Sequence, residues 1–213
     1  MPSQTQESSA SRVAAEVKAR IVSGQLRPGQ RLTEDRIRGD LGVSRSTLRE
    51  GFRTLVQERL VVHHLARGFF VRELTRDDLV DIYALRRILE CSAVRNIGEV
   101  SPEQHKQLAE VVAKGEAATE QESWQEAAQA SVTFHQTLVD LADSPRLSDA
   151  AHRTLVEFRL AYVFMDDPFS FHVPFIARHA GIAELIIGGE NHMAAETLEE
   201  YLRDSKEALL AGI

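Results

Sequence analysis

The stretch GDLGVSRSTLREGFRTL, residues 39–55, limits the folds open to this chain more than any other. Leu48, Phe52, Leu55 and Val56 recur at helical spacing, and Arg45, Arg49 and Arg53 recur every four residues beside them. Such a helix buries its greasy side and leaves a cationic stripe for water or for an anion. Its surroundings narrow the choice. Val13, Val17, Ile21 and Val22 mark a first helix over 11–24, and Leu26-Arg27-Pro28-Gly29 is a turn. Thr33 is a suitable N-cap for a second helix over 34–41, Gly42 supplies a tight turn, and Ser44 caps the arginine helix, which runs to about Arg59. The period then shortens. Leu60-Val61-Val62 and Phe69-Phe70-Val71 are β-prone runs, with Gly68 between them suited to a positive φ. Three helices followed by a hairpin make a winged helix-turn-helix.

Charge separates this front from the rest of the chain. Residues 1–73 hold 13 Lys/Arg against 8 Asp/Glu, and the remainder holds 12 against 24, so a net charge of −7 hides a basic front on an acidic rear. The front can meet phosphate; the rear repels it. Residues 1–10 lack the basic and apolar segments of a secretory signal and read as a disordered tail. Cys91 is the one cysteine, so no internal disulfide is possible, which fits a reducing cytoplasm. No apolar run reaches the ~20 residues of a membrane helix.

From Thr75 onward the helical period is unbroken by strand signals. A helix over 75–97 presents Leu79, Ile82, Leu85, Leu89 and Ala93 as its apolar stripe, and Ser101-Pro102-Glu103-Gln104 opens the next. Helices follow over 123–142, from Ser144-Pro145 to Met165, over 174–187 and over 190–210, with a loop at 166–173 carrying Phe169, Phe171 and His172, a lid or a dimer contact. The expected fold is mainly α: an N-terminal winged helix-turn-helix (11–74) and a C-terminal antiparallel bundle of about six helices (75–213). Phe134, Trp124 and Phe158 read as core. Of the adjacent His63 and His64, on opposite strand faces, one is expected at the surface and one in packing.

Residues 11–72, with "G-x-L-x-P-G", "LGVSR", "LRE" and the "RG" wing in register, closely resemble the DNA-binding domain of the GntR family of bacterial transcription regulators. The resemblance implies that Arg45 and Arg49 contact bases or nearby phosphate, that Ser44, Ser46 and Thr47 position the helix, that Arg36 reaches phosphate, and that Arg67 and Gly68 set the wing tip in the minor groove. The family more often has Ala-Leu where this chain has Gly51-Phe52.

"YALRRILECSA", "FHQTLVDLADSPRL", "RHAGIAELIIGGE" and "AAETLEEYL" resemble the FCD ligand-binding domain of the FadR-type branch. That resemblance implies an internal cavity in which an Asp and three histidines hold a divalent metal such as zinc beside a small carboxylate effector. Here those positions are Ser131, His135, His179 and Tyr201, so two of four ligands remain, His135 and His179. A metal site built on two imidazoles competes with a metal-free pocket in which the four side chains bond an effector directly. Arg86 stands where the family often places an effector-binding arginine; it is also four residues before Glu90, the spacing of an ordinary helix ion pair.

The reading is a homodimeric regulator, a repressor acting in the cytoplasm on an inverted-repeat operator in double-stranded DNA, switched by a small organic acid and without enzymatic activity. Two alternatives stand beside it: a metal-dependent enzyme on the helical bundle, and a DNA-binding protein with a vestigial pocket.

Overall fold

In the computed structural model, which describes residues 8–162, 165 and 167–212, the chain divides between Leu74 and Thr75 into two units. The first contains α1 (Ser9–Val22), α2 (Glu34–Leu41), α3 (Arg45–Gln57), β1 (Val61–His64) and β2 (Gly68–Val71). Helix α1 starts inside the expected tail, because the Ser8 hydroxyl accepts the Ser11 N–H at 3.0 Å and caps it; residues 1–7 of that tail lie outside the described residues. Gly42 ends α2 at φ 63°, a left-handed conformation that glycine adopts without a Cβ penalty. The strands pair antiparallel from Val61 opposite Val71 to His64 opposite Gly68. The turn after Pro28 adds a short edge: the Val71 N–H donates to the Gln30 carbonyl and the Leu32 N–H to the Phe69 carbonyl. Leu48, Phe52 and Leu55 of α3 are wholly buried with Val17 and Ile21 of α1. Phe52 meets Phe69 edge-on at 5.0 Å, which ties the arginine helix to the wing.

The second unit contains α4 (Arg76–Arg95), α5 (Pro102–Glu120), α6 (Trp124–Asp140), α7 (Pro145–Phe158), α8 (Pro168–Ile176), α9 (His179–Ile187) and α10 (Asn191–Ala211). Helix α4 packs along α10, α6 and α7. Capping boxes start α4 (Thr75 with Asp78) and α5 (Ser101 with Gln104). The protein is thus mainly α with a small two-stranded sheet in the wing.

Four expectations change here. The helix from Ser144 stops at Phe158 and tightens into a 3-10 turn, Arg159–Ala161; Val163 and Phe164, in its expected tail, are outside the described residues, as is Asp166. The expected loop from Pro168 on is α8. The Asp167 carboxylate accepts the Ser170 N–H, Pro168 sits in the first turn, and Phe171, His172, Phe175 and Ile176 are buried. Pro174, expected to open a helix, lies inside α8, and the expected 174–187 helix is two helices parted at Ala177-Arg178. The buried face of α4 is also turned from the expected stripe: Leu85 is exposed, while Tyr83, Arg86 and Glu90 face inward with Leu79 and Ile82.

Candidate functional site

Helix α3 emerges from the first unit with its start exposed. The Ser44 hydroxyl accepts the Thr47 N–H at 3.2 Å, lies 2.8 Å from the Thr47 hydroxyl and lies 2.9 Å from that of Ser46. This cap fixes the helix start and leaves Arg45 and Arg49 reaching outward. Arg45 stands 3.5 Å from Asp35 and Arg49 stands 3.7 Å from Glu34, both at the start of α2. Exposed pairs of this kind contribute ~0–1 kcal/mol, so either guanidinium can exchange its carboxylate for a phosphate or a base edge at little cost. Gly68 holds φ at 95° and shares a concave surface with Thr33, Arg45, Arg49 and Arg31. Sequence reasoning missed Arg31. Its signal is the turn before it, which pins the Gln30–Leu32 edge to β2 and carries Arg31 toward the wing. Arg36 is exposed and lines a neighbouring concavity with Arg31 and Arg20. The Arg67 guanidinium lies over the Phe70 ring at 5.7 Å. The expectation for the histidine pair is corrected: both are exposed, His63 stacked on Phe69 at 4.4 Å and His64 edge-on to Phe70 at 5.3 Å. A short turn leaves both strand faces open at the wing's end, so neither imidazole reaches the core.

The second unit holds a buried polar cluster. Arg86 and Glu90, on one face of α4, are each 1% exposed, and the Arg86 Nε donates to Glu90 Oε1 at 2.7 Å. The other carboxylate oxygen, Glu90 Oε2, lies 2.7 Å from Nδ1 of His135 on α6. The ion pair that the i+4 spacing suggested is therefore real, yet it spends only one of the guanidinium's three nitrogens. Among the described residues, both terminal nitrogens of Arg86 and Nε2 of His135 make no hydrogen bond. The guanidinium carbon sits 4.4 Å from the Phe158 ring centre and 5.2 Å from that of Tyr83, so Phe158 is more than filler: its face supports the cation. His179 stacks on Phe134 at 4.0 Å, and its Nε2 lies 3.2 Å from the Tyr201 hydroxyl. Tyr83 bonds Ser205 at 2.6 Å, and Ser131 lies beside the hydroxyls of Tyr162 and Tyr201 and acts to lower the pKa of both phenols.

Burial disfavours charge throughout this cluster, and partners decide where charge survives. Burial works against the Arg86 cation, but Glu90, Tyr83 and Tyr162 together outweigh it and the pKa is raised. Burial likewise works against the Glu90 anion, but Arg86 and then His135 outweigh it and hold the carboxyl below its ordinary range. His135 is held below its usual value, because burial outweighs the attraction of Glu90. Burial also keeps His179 well below its usual value and pushes the Tyr83 phenol up to about 12. The cluster is an ionised Arg86–Glu90 pair beside neutral imidazoles and phenols. Sequence reasoning missed Glu90, Tyr83 and Tyr162 as members, and the "LRRILE" spacing is the signal for Glu90.

The geometry fits the two families that match this sequence. Residues 9–71 match the bacterial regulatory proteins of the gntR family, and residues 81–204 match the FCD domain. The chain belongs to the GntR family and carries an FCD domain. Relatives of this GntR regulator include the Nta operon transcriptional regulator of Aminobacter aminovorans, 43% identical over 35% of each chain. The match to that relative thus spans about a third of its length. A "Probable D-xylose utilization operon transcriptional repressor" of Paenarthrobacter nicotinovorans is 30% identical over 91% of this chain and 89% of its own. A solved GntR regulator structure from Rhodococcus sp. RHA1 superposes with a TM-score of 0.88 at 33% identity, covering 95% of this chain and 97% of that one.

The divalent metal implied by the FCD resemblance does not fit this GntR regulator's residues. Among the described residues no three His, Cys, Asp or Glu side chains are grouped to hold an ion. His179 Nε2 is engaged by Tyr201, whose phenol burial keeps protonated, and Ser131 offers only a neutral hydroxyl set against two phenols.

Proposed function

We propose that the protein is a homodimeric repressor of the FadR-type branch, acting on an inverted repeat and released or retained by a small organic acid held in its FCD domain. In this reading Arg45 and Arg49 contact bases or adjacent phosphate, with Ser44, Ser46 and Thr47 setting the helix start. Arg36 and Arg31 add phosphate contacts, and Arg67 and Gly68 carry the wing. Arg86 takes the effector carboxylate, with His135, Ser131, His179 and Tyr201 around it. The carrying observation is the buried Arg86 with two unspent nitrogens, since a guanidinium kept dry is suited to bidentate capture of a carboxylate. Only a ligand that binds one conformation better than another can change operator affinity, and a buried charged site provides such a difference. The relatives are transcriptional regulators, which supports a non-enzymatic role, and a DNA-binding regulator works where the chromosome is, in the cytoplasm. Among the described residues no helix is long and apolar enough to cross a membrane.

Fluorescence anisotropy with the DNA upstream of the protein's own gene tests this. Binding should weaken steeply with salt, and Arg45→Ala and Arg49→Ala should each cost ~1–3 kcal/mol of binding free energy. Absence of salt-sensitive affinity for any DNA overturns the reading.

A further inference from the structure

We propose that Leu65 is an apolar wedge: carried by the wing into the minor groove, it opens one base step and bends the duplex, so that the operator holds a flexible pyrimidine–purine step there. This rests on the placement of the wing proposed above and adds an apolar contact to it. Strands β1 and β2 are joined by Leu65, Ala66 and Arg67, with His64 opposite Gly68 at the base of the loop. The Arg67 N–H donates to the His64 carbonyl at 3.1 Å and closes it. Leu65 projects at 91% exposure, the highest of any large apolar side chain among the described residues. Val61, Phe69 and Val71 of the strands below it are buried. Ala66 holds φ at 61°, a left-handed conformation that glycine or asparagine adopts more readily. The fold therefore gains nothing from a leucine at this tip, where a polar residue would serve the turn as well.

A single exposed leucine is ordinary on a protein surface; the surroundings of this one select its partner. Between Leu60 and Arg72 the chain has no Asp or Glu, and His63, His64 and Arg67 flank the tip. Both imidazoles are exposed and lie against Phe69 and Phe70, and the Arg67 guanidinium lies over Phe70. An apolar point thus stands on a base that carries positive charge and hydrogen-bond donors. Gly68, next to Arg67, lines the same concave surface as Arg45 and Arg49, so the tip continues the surface that meets DNA. The minor groove suits both parts: its negative potential draws the arginine, and its floor is the edge of the base stack. A leucine set between two base pairs replaces part of the lost stacking with apolar contact and kinks the duplex toward the major groove. The deformation is easiest at TA and CA/TG steps, so sequence is read there without a hydrogen bond.

The test uses the intact protein and the DNA upstream of its own gene, with a donor and an acceptor dye at the duplex ends. The wild type should bend the bound duplex by roughly 20–90°, read as increased energy transfer. Leu65→Ser should lose at least about half of that bend while keeping the salt dependence of binding, and Leu65→Met should retain the bend. A fluorescent purine analogue that brightens on unstacking, moved step by step through the bound site, should brighten at one pyrimidine–purine step with the wild type and stay dark there with Leu65→Ser. Because Leu65 is exposed, the urea midpoint of both variants should match that of the wild type, which separates a lost wedge from a lost fold. A duplex that stays straight when bound, or that bends as much with Leu65→Ser, overturns the wedge and leaves DNA binding standing. If Arg67→Ala also leaves affinity unchanged, the placement of the wing falls with it. No salt-sensitive affinity for any DNA overturns the whole reading.

Discussion

Gly51 of α3 stands against α1. A Cβ there would lie 2.6 Å from Val13 Cγ1 and 2.9 Å from the Ala10 carbonyl oxygen. Rotating Val13 can relieve the first contact, but only moving α1 relieves the second. Alanine would gain up to ~1 kcal/mol of helix propensity over glycine, against an overpacking cost of ~1–3 kcal/mol. Gly51→Ala should therefore destabilise the first unit by about 1 kcal/mol, read as a lower urea midpoint at unchanged slope; an unchanged midpoint would mean α1 shifts freely. This residue also marks what a sequence conveys. That a glycine sits in the arginine helix beside Phe52 is visible at once, but the backbone carbonyl on a different helix that it leaves room for is not. Arg86 and Glu90 are legible as an i+4 pair, yet nothing in hydropathy says that two charges will be buried. Their burial depends on His135, distant in the chain, meeting the second carboxylate oxygen.

Elements whose signals are local are legible in the sequence. The arginine helix, its Ser44 cap, the Gly42 stop and the Gly68 wing all depend on near neighbours in the chain. Where sequence and structure part, the cause is tertiary. Leu85 suits the α4 stripe by hydropathy, whereas the bundle selects the face bearing Tyr83, Arg86 and Glu90. "DDPFSFHV" resembles a loop because of its prolines Pro168 and, just beyond it, Pro174, although Asp167-Pro168 is itself a helix start and burial of Phe171 and Phe175 completes α8. The cap of α3 yields a prediction that separates stability from recognition. Ser44→Ala should cost ~1 kcal/mol of stability, whereas Ser44→Asp should keep the cap and the stability. Its carboxylate would nevertheless sit at the helix start that the proposed mode brings to phosphate. Chemical denaturation together with anisotropy should therefore find Ser44→Asp stable and weak in DNA binding. A Ser44→Asp variant that binds DNA like the wild type would remove the start of α3 from the interface.

Across the whole molecule, buried neutral histidines make stability depend on pH. His172 is lowered to about 4, by burial first and by Arg159 second, and His135 and His179 are lowered as well. In the unfolded chain each takes its proton near ~6.5. Between that value and the folded one, the unfolded state binds more protons, so stability is complete above ~6.5 and is lost as pH falls toward 4. The shift of His172 alone corresponds to roughly 3 kcal/mol when fully titrated. Unfolding followed at about pH 7.5, 6 and 5 should show falling stability, with a shallower fall in His172→Phe; a flat profile would place these imidazoles in water. One further property belongs to α4. Its twenty residues, Arg76–Arg95, contain neither glycine nor proline, and a continuous helix rises ~1.5 Å per residue. Whatever docks at Arg86 therefore presses midway along a stiff beam whose near end is the first segment after the wing, and the beam has no joint in which that pressure could be lost.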